Sequence, residues 1–192
     1  MEPGALSPVL AATLDGPGEE LQDFDRVVEL YRPAVFRFIL ASLRDRDDAE
    51  SLTQDCFLRA FRHRGQFRGD AALKTWLMQI AANLVRDLIR NRRFQFWKRT
   101  QSNATRAPDF FETAPSTDAS PEARALAREQ LRAIWTATEK LPGRQREVFV
   151  LRFVEDMDLV EIAQVLGMKE GTVKSHLFRA LHAVRKQMRR LP

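Results

Sequence analysis

Apolar residues recur at helical spacing along most of the chain, and no stretch alternates apolar and polar positions as a half-buried strand would. The first helical pattern runs from Leu21 to about Arg44 through Phe24, Val27, Val28, Tyr31, Val35, Phe36, Ile39, Leu40 and Leu43. Pro33 falls inside it, so the helix is expected to kink there, or to restart with the proline near its first turn. A second helix is expected to begin near Asp47 or Asp48, where carboxylates suit the positive end of the helix dipole. It turns Ala49, Leu52, Cys56, Phe57 and Ala60 inward. After a short loop containing Gly65 and Gly69, a third pattern spans about Leu73 to Arg93, with Trp76, Leu77, Ile80, Ala81, Leu84, Leu88 and Ile89 as its apolar set. Periodicity then fails between Gln95 and Pro121, where Ser, Thr, Asn, Pro and Asp dominate, and this reads as a mobile linker. Ser120-Pro121-Glu122 restarts a helix with Ser as N-cap and Pro in its first position, running to Lys140. Pro142 opens the next, Gly143 to Val154.

The last part of the pattern is a short helix, a turn and a long basic helix. Leu159, Ile162, Ala163, Val165 and Leu166 give the short helix one apolar face, and Val173, Leu177, Ala180, Leu181 and Val184 do the same for the long one. Gly167 supplies a permissive backbone between them, and Ala163 is small enough for a close crossing. This is the pattern of a helix-turn-helix, whose second helix lies in the DNA major groove. The expected fold is therefore all-α, with two helical domains joined by a flexible linker. The divisions are a flexible extension over 1–20, a first domain over 21–95, a linker over 96–121 and a second domain over 122–192.

Charge sharpens the expectation of a polyanionic partner. The formal net charge is +5, but its distribution says more. Seven Lys or Arg stand against one Asp from Val85 to Arg106, and six without any acid from Lys174 to Pro192. Two separate basic blocks suit a protein that touches nucleic acid at two points. Acids gather at Asp45, Asp47, Asp48, Glu50 and Asp55, and again at Glu155, Asp156, Asp158 and Glu161. Cys56 is the single cysteine, so an internal disulfide and a thiolate metal cluster are both excluded, and a buried, inert thiol is expected. No run approaches about 18 consecutive apolar residues, so no membrane insertion is expected and the protein reads as soluble and cytoplasmic. His63, His176 and His182 lie in basic contexts with no carboxylate spaced to orient them, and no phosphate-binding glycine loop appears. Neither an enzyme nor a cofactor is expected.

The loop and third helix interleave aromatics, amides and cations: Phe67, Arg68, Lys74, Trp76, Gln79, Asn83, Arg86, Arg90, Arg92 and Arg93. Single-stranded DNA asks for that combination, cations along its backbone and planar groups and amides for unstacked bases. Trp76 shares a helical face with Ile80 and reads as core, whereas Phe67 reads equally as core or as base contact. The second helix, taken alone, reads as a solvated face.

The run DAESLTQDCFLRAFRHRGQFRGDAALKTWLMQIAANLVRDLIRNRR resembles the first characteristic domain, region 2, of bacterial extracytoplasmic-function (ECF) sigma factors, group IV of the sigma superfamily. LPGRQREVFVLRFVEDMDLVEIAQVLGMKEGTVKSHLFRALHAVRKQM resembles their second, region 4. The resemblance covers about Leu21 to Arg93 and Ala125 to Arg189, in the family's order.

It implies a protein that binds core RNA polymerase, directs it to −35 and −10 promoter elements and promotes DNA melting. The second helix would then dock on the clamp helices of the largest subunit, with Asp48, Glu50, Gln54 and Asp55 as contacts, and the C-terminal domain would meet the polymerase flap. Phe67, Arg68 and Asn83 would engage a base flipped from the −10 element, with Arg86, Arg90 and Arg93 on phosphates. Lys174, Ser175, Phe178 and Arg179 would read the −35 duplex, with Thr172 on phosphate. His176 would join them on the −35 element, donating to phosphate or a base with less charge than the Arg the family usually has there, and Met78 and Gln79 stand where the family often has an aromatic and an arginine. Phe94 to Arg99 would either touch template DNA or pack back on the first domain. Many members are held by an anti-sigma factor, which adds a further expected partner. A stand-alone helix-turn-helix regulator is the alternative reading.

Overall fold

The computed structural model describes residues 21–69, 71–96 and 120–189, the side chains of 92–96 and 121–128 excepted. The expected extension over 1–20, and residues 97–119 of the expected linker, lie outside them. Seven α-helices form among the described residues: α1 Phe24–Leu43, α2 Arg46–His63, α3 Leu73–Phe96, α4 Pro121–Glu139, α5 Gly143–Phe153, α6 Leu159–Leu166 and α7 Glu170–Met188. A single 3₁₀ turn, Arg64–Gln66, follows α2.

Local chemistry sets most of these boundaries. Asp23 caps α1, its carboxylate accepting from the Arg26 amide at 3.1 Å. Pro33 neither restarts nor ends that helix, which runs unbroken through it. A proline removes one backbone donor, and because Pro33 faces solvent, water can satisfy the carbonyl thus released. The second helix starts earlier than expected: its cap is Asp45, whose Oδ1 accepts from the Asp48 amide at 3.0 Å. Asp47 and Asp48 fall in its first turn, where the dipole favours them. Asp158 and Glu161 form a reciprocal capping box on α6, both bonds at 2.8 Å. Gly167 ends α6 at φ 63°, a left-handed conformation that costs a side-chain-bearing residue about 1 kcal/mol or more.

The helices α1, α2 and α3 pack on one another, as do α5, α6 and α7, with α4 laid along α7. These two groups are not separate bodies. α5 also packs on α1 and α6 on α3, so one apolar cluster runs from Val35, Phe38, Cys56 and Leu77 to Leu151, Ile162 and Val173. A smaller cluster joins α4, α5 and α7 through Ala137, Leu141, Phe149, Ala180 and Val184.

The burial pattern adds to these expectations and corrects one. Leu52 packs partly buried against the core as expected, and Thr53 beside it is fully buried, its hydroxyl donating to the Ala49 carbonyl at 2.6 Å. Ile89, expected inward, is exposed. Phe38, outside the expected apolar set of α1, is completely buried.

Cys56 is buried and its thiol lies 3.5 Å from the Leu77 carbonyl. Burial, opposed weakly by Arg59, pushes its pKa up to about 12. The thiolate fraction at pH 8 is then on the order of one in ten thousand. Labelling by a thiol-specific chromogenic reagent is expected to proceed only as fast as the protein opens, accelerating sharply in denaturant.

Candidate polymerase and promoter interfaces

On α2, the residues between the buried positions form one outward face. Gln54 and Asp55 are exposed, while Asp48 and Glu50 are partly so. Glu50 is paired with Arg46 at 3.1 Å, and both side chains remain well hydrated, so that pair contributes little to stability. Leu58 and Phe61 continue the face as exposed apolar side chains. Phe24 packs edge-on against Phe61, with ring centroids 5.2 Å apart, and the Arg64 guanidinium covers the Phe61 ring at 3.8 Å. The face therefore combines anions and apolar surface.

The loop before α3 turns at Gly69, φ 76°. Phe67 packs against Trp76, centroids 5.2 Å apart and tilted by 48°, and both rings rest partly buried on the core. Trp76 is thus a core residue, as its spacing suggested, and Phe67 is a core neighbour with part of its ring still open. Arg68 and Asn83 are exposed. Arg86 donates to Asn83 Oδ1 at 2.9 Å and to the Leu166 carbonyl at the end of α6 at 3.2 Å. Arg90 is exposed and held by Asp87 at 3.0 Å. Asn83, Arg86 and Arg90 therefore share one edge of α3, at spacings of three and four residues. Arg93 lies on the same helix, but its side chain is outside the described residues, as are the side chains from Phe94 to Arg99.

On α7, Val173, Ala180 and Val184 are buried while Thr172, Lys174, Ser175, Phe178 and Arg179 are exposed. Phe178 is 72% exposed. Among the described residues no side chain caps the first turn of α7, and no other element crowds Gly171. This end of the helix can therefore approach a phosphate with its backbone amides. Lys174 is held by Glu170 at 2.6 Å and Ser175 donates to the Gly171 carbonyl at 2.9 Å. His176 behaves differently from these neighbours. It is half-buried, with an enclosed Nδ1 that has no hydrogen-bond partner among the described residues.

The region between α1, α3 and α5 is electrostatically crowded. Glu147 is raised by burial and held down chiefly by Arg144, then by Arg86 and Arg146. Arg144 bonds it at 2.9 Å. Arg146 is lowered to about 10, first by burial and then by Arg44 beside it. Its guanidinium donates to the Ala41 and Leu141 carbonyls, at 3.4 and 3.1 Å.

Two family models match the chain, sigma-70 region 2 over residues 27–95 and sigma-70 region 4 over residues 131–184. Together they span most of the seven helices. The chain is 34% identical over 173 residues to the RNA polymerase sigma-H factor of Pseudomonas aeruginosa, covering 88% of this chain and 87% of that one. It is 29% identical over 168 residues to the ECF RNA polymerase sigma factor SigW of Bacillus subtilis, covering 88% and 90%. The chain is an ECF sigma factor.

As such it recognises promoters as a subunit of RNA polymerase, and a stand-alone regulator is not favoured. The fold agrees with the sigma factor RpoE of Bartonella quintana, solved in complex with the anti-sigma factor NepR. That match has a TM-score of 0.71 at 22% identity, covering 89% of this chain and 99% of that one. No described helix of this sigma factor is long and apolar enough to cross a membrane.

Proposed function

We propose that this sigma factor divides its work among three faces. The α2 face bearing Asp48, Glu50, Gln54 and Asp55 docks on the clamp helices of core polymerase, and the region 4 helices meet the flap. The loop and edge of α3 bearing Phe67, Arg68, Asn83, Arg86, Arg90 and Arg93 engage the opened −10 element. The outer face of α7, with Thr172, Lys174, Ser175, Phe178 and Arg179, reads the −35 duplex, and His176 stands beside them. The domain limits that go with this division are 21–95 and 122–192, with 96–121 as the connection.

The observation that carries the reading is the split of α7 into a buried apolar stripe and an exposed polar face beside an uncapped N-terminus. Cations, a hydroxyl and a free aromatic on such a face match what base edges and phosphates offer in the major groove. Lys174 exchanges its pairing with Glu170 for phosphate when DNA arrives. The protein itself carries no catalysis, works in the cytoplasm with the polymerase and is a target for an anti-sigma factor.

Co-purification with core polymerase and run-off transcription from a promoter fragment test the whole reading. Tight duplex binding without stimulation of core polymerase would sink it. A finer test is Asn83→Ala. Loss of one polar base contact is expected to lower run-off transcription roughly 3- to 10-fold on a duplex promoter. A promoter melted in advance across the −10 element should recover most of that loss if Asn83 assists opening. An undiminished defect on the melted template would argue against a melting role.

A further inference from the structure

Where α1 ends and α5 begins, positive charge gathers without a matching anion among the described residues. Arg44 is the C-cap of α1, and Arg146 reaches the same place from the start of α5. Arg146 directs its terminal nitrogens at carbonyls, Nη1 at Ala41 near the end of α1 and Nη2 at Leu141. Its Nε is enclosed and has no partner among the described residues, and the same holds for the Nε of Arg44 and of Arg86. Arg44 makes no side-chain hydrogen bond there at all. The buried carboxylate in reach is Glu147, which Arg144 already holds at 2.9 Å. Counting the groups that act on Arg146 and Glu147, four guanidiniums (Arg44, Arg86, Arg144, Arg146) face two carboxylates (Glu139, Glu147).

Two local features add to the excess. The first residues of α5 include Arg144 and Arg146 and no acid, although the positive end of a helix favours anions. Its N-cap is Pro142, which offers no side-chain acceptor to the leading amides, and no other element crowds Gly143. Arg44 itself sits in the left-handed region at φ 61°, a conformation that glycine adopts without a Cβ penalty. The backbone there works against a side chain, and the side chain it carries meets a like charge.

We propose that the junction of α1 and α5 is a binding site for a phosphate group, gripped by the guanidiniums of Arg44 and Arg146 and by the leading amides of α5. An excess of two positive charges matches a doubly charged oxyanion. Planar guanidinium forks suit its tetrahedral oxygens, and unpaired enclosed donors gain acceptors when it arrives. Free polyphosphate and the phosphate tail of a nucleotide share this chemistry. Arg44 and Arg146 belong to none of the faces assigned above to polymerase or promoter.

The full chain is titrated by isothermal calorimetry with tripolyphosphate and, separately, with adenosine triphosphate, both without magnesium and at fixed ionic strength. Saturable binding at one site is expected. Arg44→Gly should weaken it about tenfold or more, the loss of one charge-assisted contact. The same variant should raise the thermal midpoint of the ligand-free protein by roughly 2–4 °C, because it relieves both the backbone strain and the repulsion. Tighter binding with a less readily unfolded variant cannot arise from misfolding, and neither can weaker binding. Arg146→Gln should also weaken binding, measured well below its unfolding transition. Lys186→Gln removes one positive charge from an exposed position of α7 and should leave the affinity unchanged. Equal affinities for the two ligands would show that phosphate alone is read, and a preference for the nucleotide would make it the occupant. The site is overturned if neither ligand binds saturably, or if Lys186→Gln weakens binding as much as Arg44→Gly. A lowered midpoint in Arg44→Gly also overturns it, since the charge of Arg44 would then already be compensated in the free chain.

Discussion

Arg179→Ala is expected to reduce run-off transcription from a −35-dependent promoter roughly 10- to 100-fold, the loss typical of one specific base contact of about 1–3 kcal/mol. Arg179 is exposed on the outer face of α7, one residue from the buried Ala180. Its removal therefore leaves the helix packing intact, and the amount of sigma factor retained on immobilised core polymerase should not change. Transcription and retention are measured on the same preparation. Equal loss of both would contradict the division between α7 and α2. His176 supplies a contrast. Its ring is half-buried with an enclosed nitrogen, so His176→Ala should disturb stability more, and promoter choice less, than Arg179→Ala.

Phe38→Ala is expected to be the most destabilising of the simple truncations. Deleting a fully buried phenylalanine ring costs about 3–5 kcal/mol, against a total stability of about 5–15 kcal/mol for a protein of this kind. The midpoint of thermal unfolding should fall by roughly 6–20 °C, followed by circular dichroism. Leu30→Ala on the same helix is the control, because Leu30 is 64% exposed and should shift the midpoint hardly at all. Comparable effects at both positions would mean that α1 is not packed as described.

Phe38 also shows where periodicity stops being informative. The apolar set expected for α1 contained Val27, Val35, Ile39 and Leu40, and all four are buried. Ala34, Phe38 and Ala41, at spacings of four and three, make a second buried row that a single-stripe reading leaves on the outside. Arg37 lies on that side, and Arg146 of α5 donates to the Ala41 carbonyl there. The row is buried because α5, more than a hundred positions later, covers it. Met78 and Ala82 are the equivalent on α3, lying under α6.

Other features were legible because their cause is local. Gly167 takes the left-handed conformation that the turn between α6 and α7 requires, and Trp76 packs as core. Helix ends shifted by a residue or a few, as at Asp45, because several carboxylates in a row can each serve as a cap. The proposed site residues on α7 were also legible, since one helix face is enough to separate Val173 from Lys174. Those on α3 were legible as a list, but their engagement with α6 was not.

Sequence alone determined the seven-helix pattern, the helix-turn-helix and the family, since each rests on spacing within a few turns of helix or on motifs read in order. Tertiary structure alone decided which helices carry two buried faces and which charges meet. Glu155 stands in an acidic run, and it is buried against Arg37, 118 positions away. Charge pairing depends on distance in space, and a one-dimensional pattern carries no distance between segments so far apart.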